Sequence, residues 1–336
     1  MRTFHVSPLS ERSGLIEFLG NTFPLLGLVN KEASHNESAF GRHQQFIKEF
    51  AQGLGKRKRI DEHDIGPTDH ADYLKVLGKP SIEDSIAILD ELRNMSGAKD
   101  ALRNVIFSSA GSAESFVMMR QAFASSLAAS SICGYIAGVG DRHLDNILLD
   151  VSTGSLIHID FGYAFGTATT HLPIPELTPF RATPVLLDVL SPLNARTWLE
   201  TDMTRTMRSL QQGSTLLKGV MDIFLRDPLV DWQREALSAR AKTGAKESGG
   251  HIQAKVARAC GKLELDNPIH ILHEQCSIKH ATRAHWNDLN TLLMGDSKTP
   301  PRAKCRDVEE QVRALIDLAT NPEILAVAWS GWRPWL

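Results

Sequence analysis

The chain has 336 residues, 42% of them hydrophobic, enough to bury one large core or two smaller ones. Lysine and arginine number 37 against 39 acidic residues, so net charge directs the chain neither to nucleic acid nor to an anionic membrane. Cys133, Cys260, Cys276 and Cys305 form no CxxC pair and suggest no disulfide framework, which fits a reducing compartment. No run of 18 apolar residues is present, so no transmembrane helix is expected, and the opening residues lack a signal-peptide core.

In chain order, residues 3–9 and 14–19 predict two short strands split by the polar turn Ser10–Ser13. Asn21-Thr22 is a candidate cap for a short helix. Residues 30–80 read as polar and irregular. Within them Lys56-Arg57-Lys58-Arg59 fits an import signal or a phosphate patch, with a solvated loop as the reading that composition favours. Ile82, Ile86, Leu89 and Leu92 have helical spacing and predict a helix over 82–94. A longer helix is predicted from about Ala113 to Gly138, capped by Ser112. Its stripe of Phe116, Met119, Phe123, Leu127, Ile132 and Ile136 reads as core rather than cofactor contact.

That helix leads to Gly138-Val139-Gly140, whose glycines permit a tight backbone. Two apolar runs, Ile147–Leu149 and Leu156–Ile159, then flank a turn closed by Gly154 and predict a β-hairpin. Asn146 enters the first strand and Asp160 leaves the second, so a carboxamide and a carboxylate converge at one end. Such an oxygen-rich point suits a hard cation such as magnesium. Asp141, five residues before Asn146, reaches the same place, and Arg142 is placed to fix the loop through a carboxylate or main-chain carbonyls. Prolines and glycines between residues 160 and 183 predict an ordered loop rather than a helix.

Residues 184–300 read as mostly helical, broken by a flexible loop from Lys242 to Gly250. Asp307 and Glu310 make a capping box, with Val308, Val312, Leu315, Ile316 and Ala319 on one face behind it. Asn321-Pro322 restarts a short helix. Half of the six tryptophans, Trp329, Trp332 and Trp335, fall in the last eight residues, so this end must pack on something.

Four stretches together resemble the phosphatidylinositol-3-kinase-related protein kinases. They are Gly140-Asp141-Arg142-His143-Leu144-Asp145-Asn146, His158-Ile159-Asp160-Phe161-Gly162, Pro175-Glu176-Leu177-Thr178-Pro179-Phe180-Arg181, and the tryptophan-rich end. The likeness runs from Arg2 to Leu336 and is weaker over 30–105. It implies an α+β fold: the C-terminal lobe of a protein-kinase-like domain, mainly helical around a catalytic β-hairpin, with the N-terminal lobe largely missing. Residues 1–22 would be the remnant of that lobe and its hinge. Residues 23–300 would form the C-lobe, with a catalytic loop at 140–146 and an activation loop at 160–183. Residues 305–336 would be a FATC segment. By resemblance Asp141 and His143 are catalytic, with the base role open between them, and Asn146 and Asp160 hold metal. Glu17, Phe18, Leu19, Leu148 and Ile159 would line the adenine site. Phe161, Gly162, Pro175, Glu176, Pro179, Phe180 and Arg181 belong to the activation loop.

The implied cofactors are ATP and Mg2+, with Mn2+ as a substitute. The implied activity is serine/threonine phosphorylation in the nucleus, in double-strand-break repair by non-homologous end joining, with DNA-end-binding subunits as partners. No direct nucleic-acid site and no membrane contact is visible. Arg181 is the only basic residue between Phe161 and Thr183, which disfavours an anionic lipid headgroup as substrate. Two departures stand out. Tyr163 occupies a position where close relatives carry histidine, and no glycine-rich loop or strand lysine precedes the hinge. The second departure makes a truncated chain the expectation and a non-catalytic interaction module the alternative. It also leaves the two first strands with no partner and an exposed apolar face.

Overall fold

The computed structural model describes residues 2–10, 13–33, 36–53, 68–226, 249–280 and 302–336. The two first strands, β1 (Val6–Ser10) and β2 (Ser13–Ile16), pair antiparallel with each other. The expectation that they lack a partner is corrected: the Ser10–Ser13 turn reverses the chain, with the two serine hydroxyls 2.7 Å apart. Val6, Leu9, Leu15 and Ile16 nevertheless remain exposed on this ribbon.

Asn21-Thr22 does not cap a helix. Asn21 turns the chain at φ 60°, and Thr22–Pro24 form β3, which pairs antiparallel with the later hairpin through Phe23 opposite Leu149. Helix α1 (Leu25–Glu32) starts only after Pro24, whose ring fixes φ at −58°.

The polar stretch 30–80 is also corrected, since α2 (Asn36–Ala51) and α3 (His70–Val76) lie within it. Its polarity hid the helix because His43, Gln45, Lys48 and Glu49 of α2 are buried polar residues. The basic run Lys56–Arg59 lies outside the described residues. Helix α4 (Ile82–Ser96) begins at Ser81, whose hydroxyl accepts from the Asp84 amide, and stops at Gly97 in the left-handed region. After α5 (Ala101–Ser109) comes α6 (Ala113–Ala137), capped by Ser112 as its sequence predicts and closed by Gly138 at φ 61°. Its stripe is core: Phe123, Leu127 and Ile132 are fully enclosed.

The predicted hairpin forms from β4 (Ile147–Asp150) and β5 (Leu156–His158), giving a three-stranded sheet of order β3-β4-β5. Helix α6 supports it from behind, because the Ser126 hydroxyl accepts the Leu156 amide at 2.9 Å. The loop after Asp160 contains one short helix, α7 (Thr167–His171), contrary to the expectation of a helix-free segment. Gly166 at φ 77° opens it, and the Thr170 hydroxyl bonds back to the Gly166 carbonyl at 3.2 Å.

The remainder is helical: α8 (Pro184–Asp188), α9 (Ala195–Gln212), α10 (Ser214–Arg226), α11 (Gly249–Leu263), α12 (Pro268–His280), α13 (Val308–Ala319) and α14 (Pro322–Ala326). Gly249 and Gly250 open α11 instead of closing a loop; the rest of the expected Lys242–Gly250 loop lies outside the described residues. Half of the predicted capping box forms. Asp307 accepts the Glu310 amide at 2.7 Å, whereas the Glu310 carboxylate takes the Arg306 amide. Asn321 caps α14 through the amides of Glu323 and Ile324. Among the described residues no helix is long and apolar enough to cross a membrane.

Candidate active site

Leaving α6, the chain must pass close to the segment after Asp160. Glycine makes this possible: a Cβ on Gly138 would lie 2.6 Å from the Gly166 amide, and one on Gly140 would lie 2.2 Å from the Ala168 Cβ. The two stretches then bond main chain to main chain, Gly140 to Tyr163 at 2.8 Å and Gly166 to Gly138 at 2.9 Å.

Arg142 locks the centre of the site. Its side chain is enclosed, and its guanidinium donates to the carbonyls of Gly140 and Ile159, both at 2.8 Å, and to that of Asp160. One planar cation therefore ties the start of the loop to the end of β5, the geometry in which arginine surpasses lysine. Burial lowers its pKa, and the nearby carboxylates of Glu176, Asp141 and Asp160 oppose that shift. The Phe161 ring covers it at 5.6 Å.

Asp141, Asn146 and Asp160 gather at one end of the hairpin. The Asn146 side chain donates from Nδ2 to the Asp141 carbonyl at 3.0 Å, and the Asn146 carbonyl accepts the Ile159 amide at 3.1 Å. Asp160 Oδ1 accepts the Gly162 amide at 3.1 Å. Asp141 and Asp160 both take positive φ, 60° and 54°, a conformation costing roughly 1–2 kcal/mol that aspartate tolerates better than most residues. His143 precedes the 3₁₀ turn Leu144–Asn146, partly exposed, with Nδ1 4.0 Å from the Asp145 carboxylate.

These donors fit magnesium. With Nδ2 of Asn146 engaged, Oδ1 is the amide end left for a cation. Among the described residues no cluster of three or more His, Cys, Asp or Glu forms a closed cage. Two hard oxygen donors from the protein are what magnesium takes when water and phosphates complete its shell.

The expected adenine wall is not assembled. Phe18 is 92% exposed, and Glu17 accepts the His5 amide across the β1–β2 ribbon. Leu19 is buried, while Leu148 and Ile159 are half-buried on the hairpin. Among the described residues no layer covers the face of the ribbon that Phe18 extends.

Residues 1–234 match the phosphatidylinositol 3- and 4-kinase family, and residues 305–336 match the FATC domain. The chain belongs to the phosphatidylinositol 3- and 4-kinase family. It is 36% identical over 98% of its length to the DNA-dependent protein kinase catalytic subunit of Dictyostelium discoideum, and 30% identical over its whole length to that of Xenopus laevis. It is 28% identical over 99% of its length to the serine/threonine-protein kinase TEL1 of Kluyveromyces lactis. The chain spans 8% of the first two relatives and 10% of the third. A solved structure of the FAT and kinase domain of CtTel1 matches its fold with a TM-score of 0.63 at 24% identity, covering all of this chain and 19% of the other.

The FATC region closes over the segment that follows Asp160. Arg181 is buried and donates to the carbonyls of Trp332 at 2.7 Å and Arg333 at 2.8 Å, and to the main-chain oxygen of Leu336 at 3.0 Å. Its guanidinium lies 4.2 Å over the Trp332 ring. Burial holds its pKa down at about 9. Trp335 and Leu336 are enclosed as the tail's composition predicts, whereas Trp329 stays 47% exposed. Trp329 lines a cavity of about 170 Å³ between residues 172–178 and the tail, bounded also by Ile174, Leu177, Val327 and Asp141.

Behind the glycine loop Lys262 donates to the Tyr135 carbonyl at 2.5 Å, and burial lowers its pKa to about 7. Sequence reading missed this lysine. It is one cation on an amphipathic helix, where a solvated position is the ordinary expectation.

Proposed function

We propose that this chain carries the catalytic lobe of a serine/threonine protein kinase that transfers the γ-phosphoryl group of ATP to protein hydroxyls. The Arg142 clamp is the observation that carries the reading, because it ties the main chain before Asp141 to the main chain at Asp160. Phosphoryl transfer asks for positioning and charge neutralisation more than for covalent chemistry. When bound, magnesium–ATP supplies the phosphoryl group and part of that neutralisation. Asn146 and Asp160 hold the metal. Asp141 or His143 takes the proton of the attacking hydroxyl, and the other orients it or meets charge developing on the phosphoryl oxygens. The activation segment presents the polypeptide. Its lone arginine, Arg181, is sealed under the tail, which leaves that segment no exposed arginine or lysine for an inositol phosphate headgroup.

Relatives named as DNA-dependent protein kinase support extending the proposal to the DNA damage response, with nuclear location, DNA-end-binding partner subunits and end joining as its finer content. The division into residues 1–22, 23–300 and 305–336 belongs to the same proposal. The test is transfer of labelled phosphate from magnesium–ATP to serine/threonine peptides, tyrosine peptides and phosphatidylinositol vesicles. Turnover on serine or threonine that falls by about 10² or more in Asp141→Ala and Asp160→Ala supports it. Turnover on the lipid alone, or indifference to Asp160→Ala, overturns it. The exposed Phe18 favours a second reading, an interaction module that binds without turnover; a chain that neither binds nor hydrolyses ATP would select it.

A further inference from the structure

We infer that Glu176, in the activation segment, is a positioning residue: its carboxylate holds the main chain of Asp141 in the left-handed turn that aims the Asp141 side chain at the substrate hydroxyl. The inference rests on the kinase reading of Asp141 and assigns the activation segment a task besides presenting substrate. Glu176 Oε2 accepts the Asp141 amide at 2.5 Å. That amide belongs to a non-glycine residue at φ 60°, a conformation that persists only where its surroundings fix it.

The approach is built from both sides. A Cβ on Gly140 would lie 2.9 Å from Oε2, so glycine at 140 gives the carboxylate its room. On the other side the Thr169 hydroxyl holds the Glu176 carbonyl at 2.9 Å, and Pro175 and Leu177 are buried on either flank. Burial pushes the Glu176 pKa up to about 7, although backbone donors at Asp141 and Arg142 favour the ionised form. Near neutrality both protonation states are therefore populated, and either retains an oxygen that accepts the Asp141 amide. Glutamine offers the same acceptor.

The experiment compares Glu176→Ala, Glu176→Gln and Asp160→Ala in the 336-residue chain. Its readouts are peptide kinetics, thermal melting and hydrogen exchange across residues 138–146. Glu176→Ala is expected to lower kcat by about 10- to 100-fold while leaving KM for ATP nearly unchanged, the signature of a displaced reacting group. Amide exchange at Asp141 is expected to accelerate by about tenfold or more in the alanine variant, and to stay protected in the glutamine variant. Glutamine is expected to keep kcat within about threefold of the parent. Two results overturn the inference: an alanine variant with parental kcat and protection, or a glutamine variant as impaired as alanine with an equally lowered melting temperature. If Asp160→Ala leaves turnover unchanged, the kinase reading fails instead. If the parent chain shows no turnover, Asp141 exchange alone decides whether Glu176 holds the loop.

Discussion

Arg142 shows how one side chain sets the site. It satisfies three carbonyls that the turns at Asp141 and Asp160 would leave unpaired, and it does so in a buried place. Lysine keeps the charge but cannot reach three directions in one plane. Arg142→Lys is therefore expected to cost about 2–4 kcal/mol of stability, from lost charge-assisted bonds and newly unsatisfied carbonyls. A lowered melting temperature with a near-complete loss of peptide phosphorylation is the expected pair of results. An unchanged melt would show that water replaces the guanidinium without penalty. Gly154 is a second single-residue constraint. It sits at φ 78°, and a Cβ there would lie 2.4 Å from the Met119 carbonyl of α6. Gly154→Ala is expected to destabilise by at least about 1–3 kcal/mol, read by denaturant unfolding.

At the scale of elements, β4–β5 and α6 were legible because their signals are local. Alternation around Gly154, the Ser112 cap and a long apolar stripe need no distant partner. The same holds for the caps at Asp307 and Asn321. Helix α2 was not legible, since its inward face carries His43, Gln45 and Lys48, and the partners of His43 lie almost 290 residues away. His43 Nε2 bonds the Ala326 carbonyl at 2.8 Å, and Nδ1 meets the Ser330 hydroxyl at 2.7 Å. The Tyr73 hydroxyl reaches Ser330 at 2.6 Å. Periodicity cannot reveal such a polar joint. In the site, the hairpin ends that gather Asn146 and Asp160 were readable from spacing. The contact of Glu176 with Asp141 was not, because it joins two loops whose meeting depends on the whole fold.

That joint has a pH dependence. Burial lowers the His43 pKa to about 4 from an ordinary 6.5, so near neutral pH the ring is uncharged, with Nε2 donating to the Ala326 carbonyl and Nδ1 accepting from the Ser330 hydroxyl. The folded value is depressed, so the stabilisation is fully present above pH 6.5 and is lost as pH falls toward 4. The slope from this one group is at most about 1.4 kcal/mol per pH unit. His158, lowered to about 4 by burial and by the Arg142 charge, acts in the same direction. Melting followed from pH 7.5 down to 5 is expected to fall, and His43→Asn is expected to remove part of that slope. A variant with the parental slope would exonerate this histidine.

Across the whole molecule, the FATC region serves as core for the helices around α2 and α4 and as a lid on the segment that carries Arg181. Trp335 is 1% exposed and lies 5.2 Å from His43, so Trp335→Ala should cost about 3–5 kcal/mol and expose the Arg181 pocket. Hydrogen exchange is expected to rise together in 36–51, 175–183 and 322–336. Exchange confined to the final helix would mean that the tail is an independent appendage.

The seating of Leu336 bears on how such a protein can be handled. Its side chain is fully enclosed, and its main-chain oxygen is held by Arg181. An affinity handle or fluorescent fusion appended there would have to exit through the seal between the tail and the Arg181 segment, prising both apart. Labels fit better at the ribbon near Val6, which is exposed among the described residues.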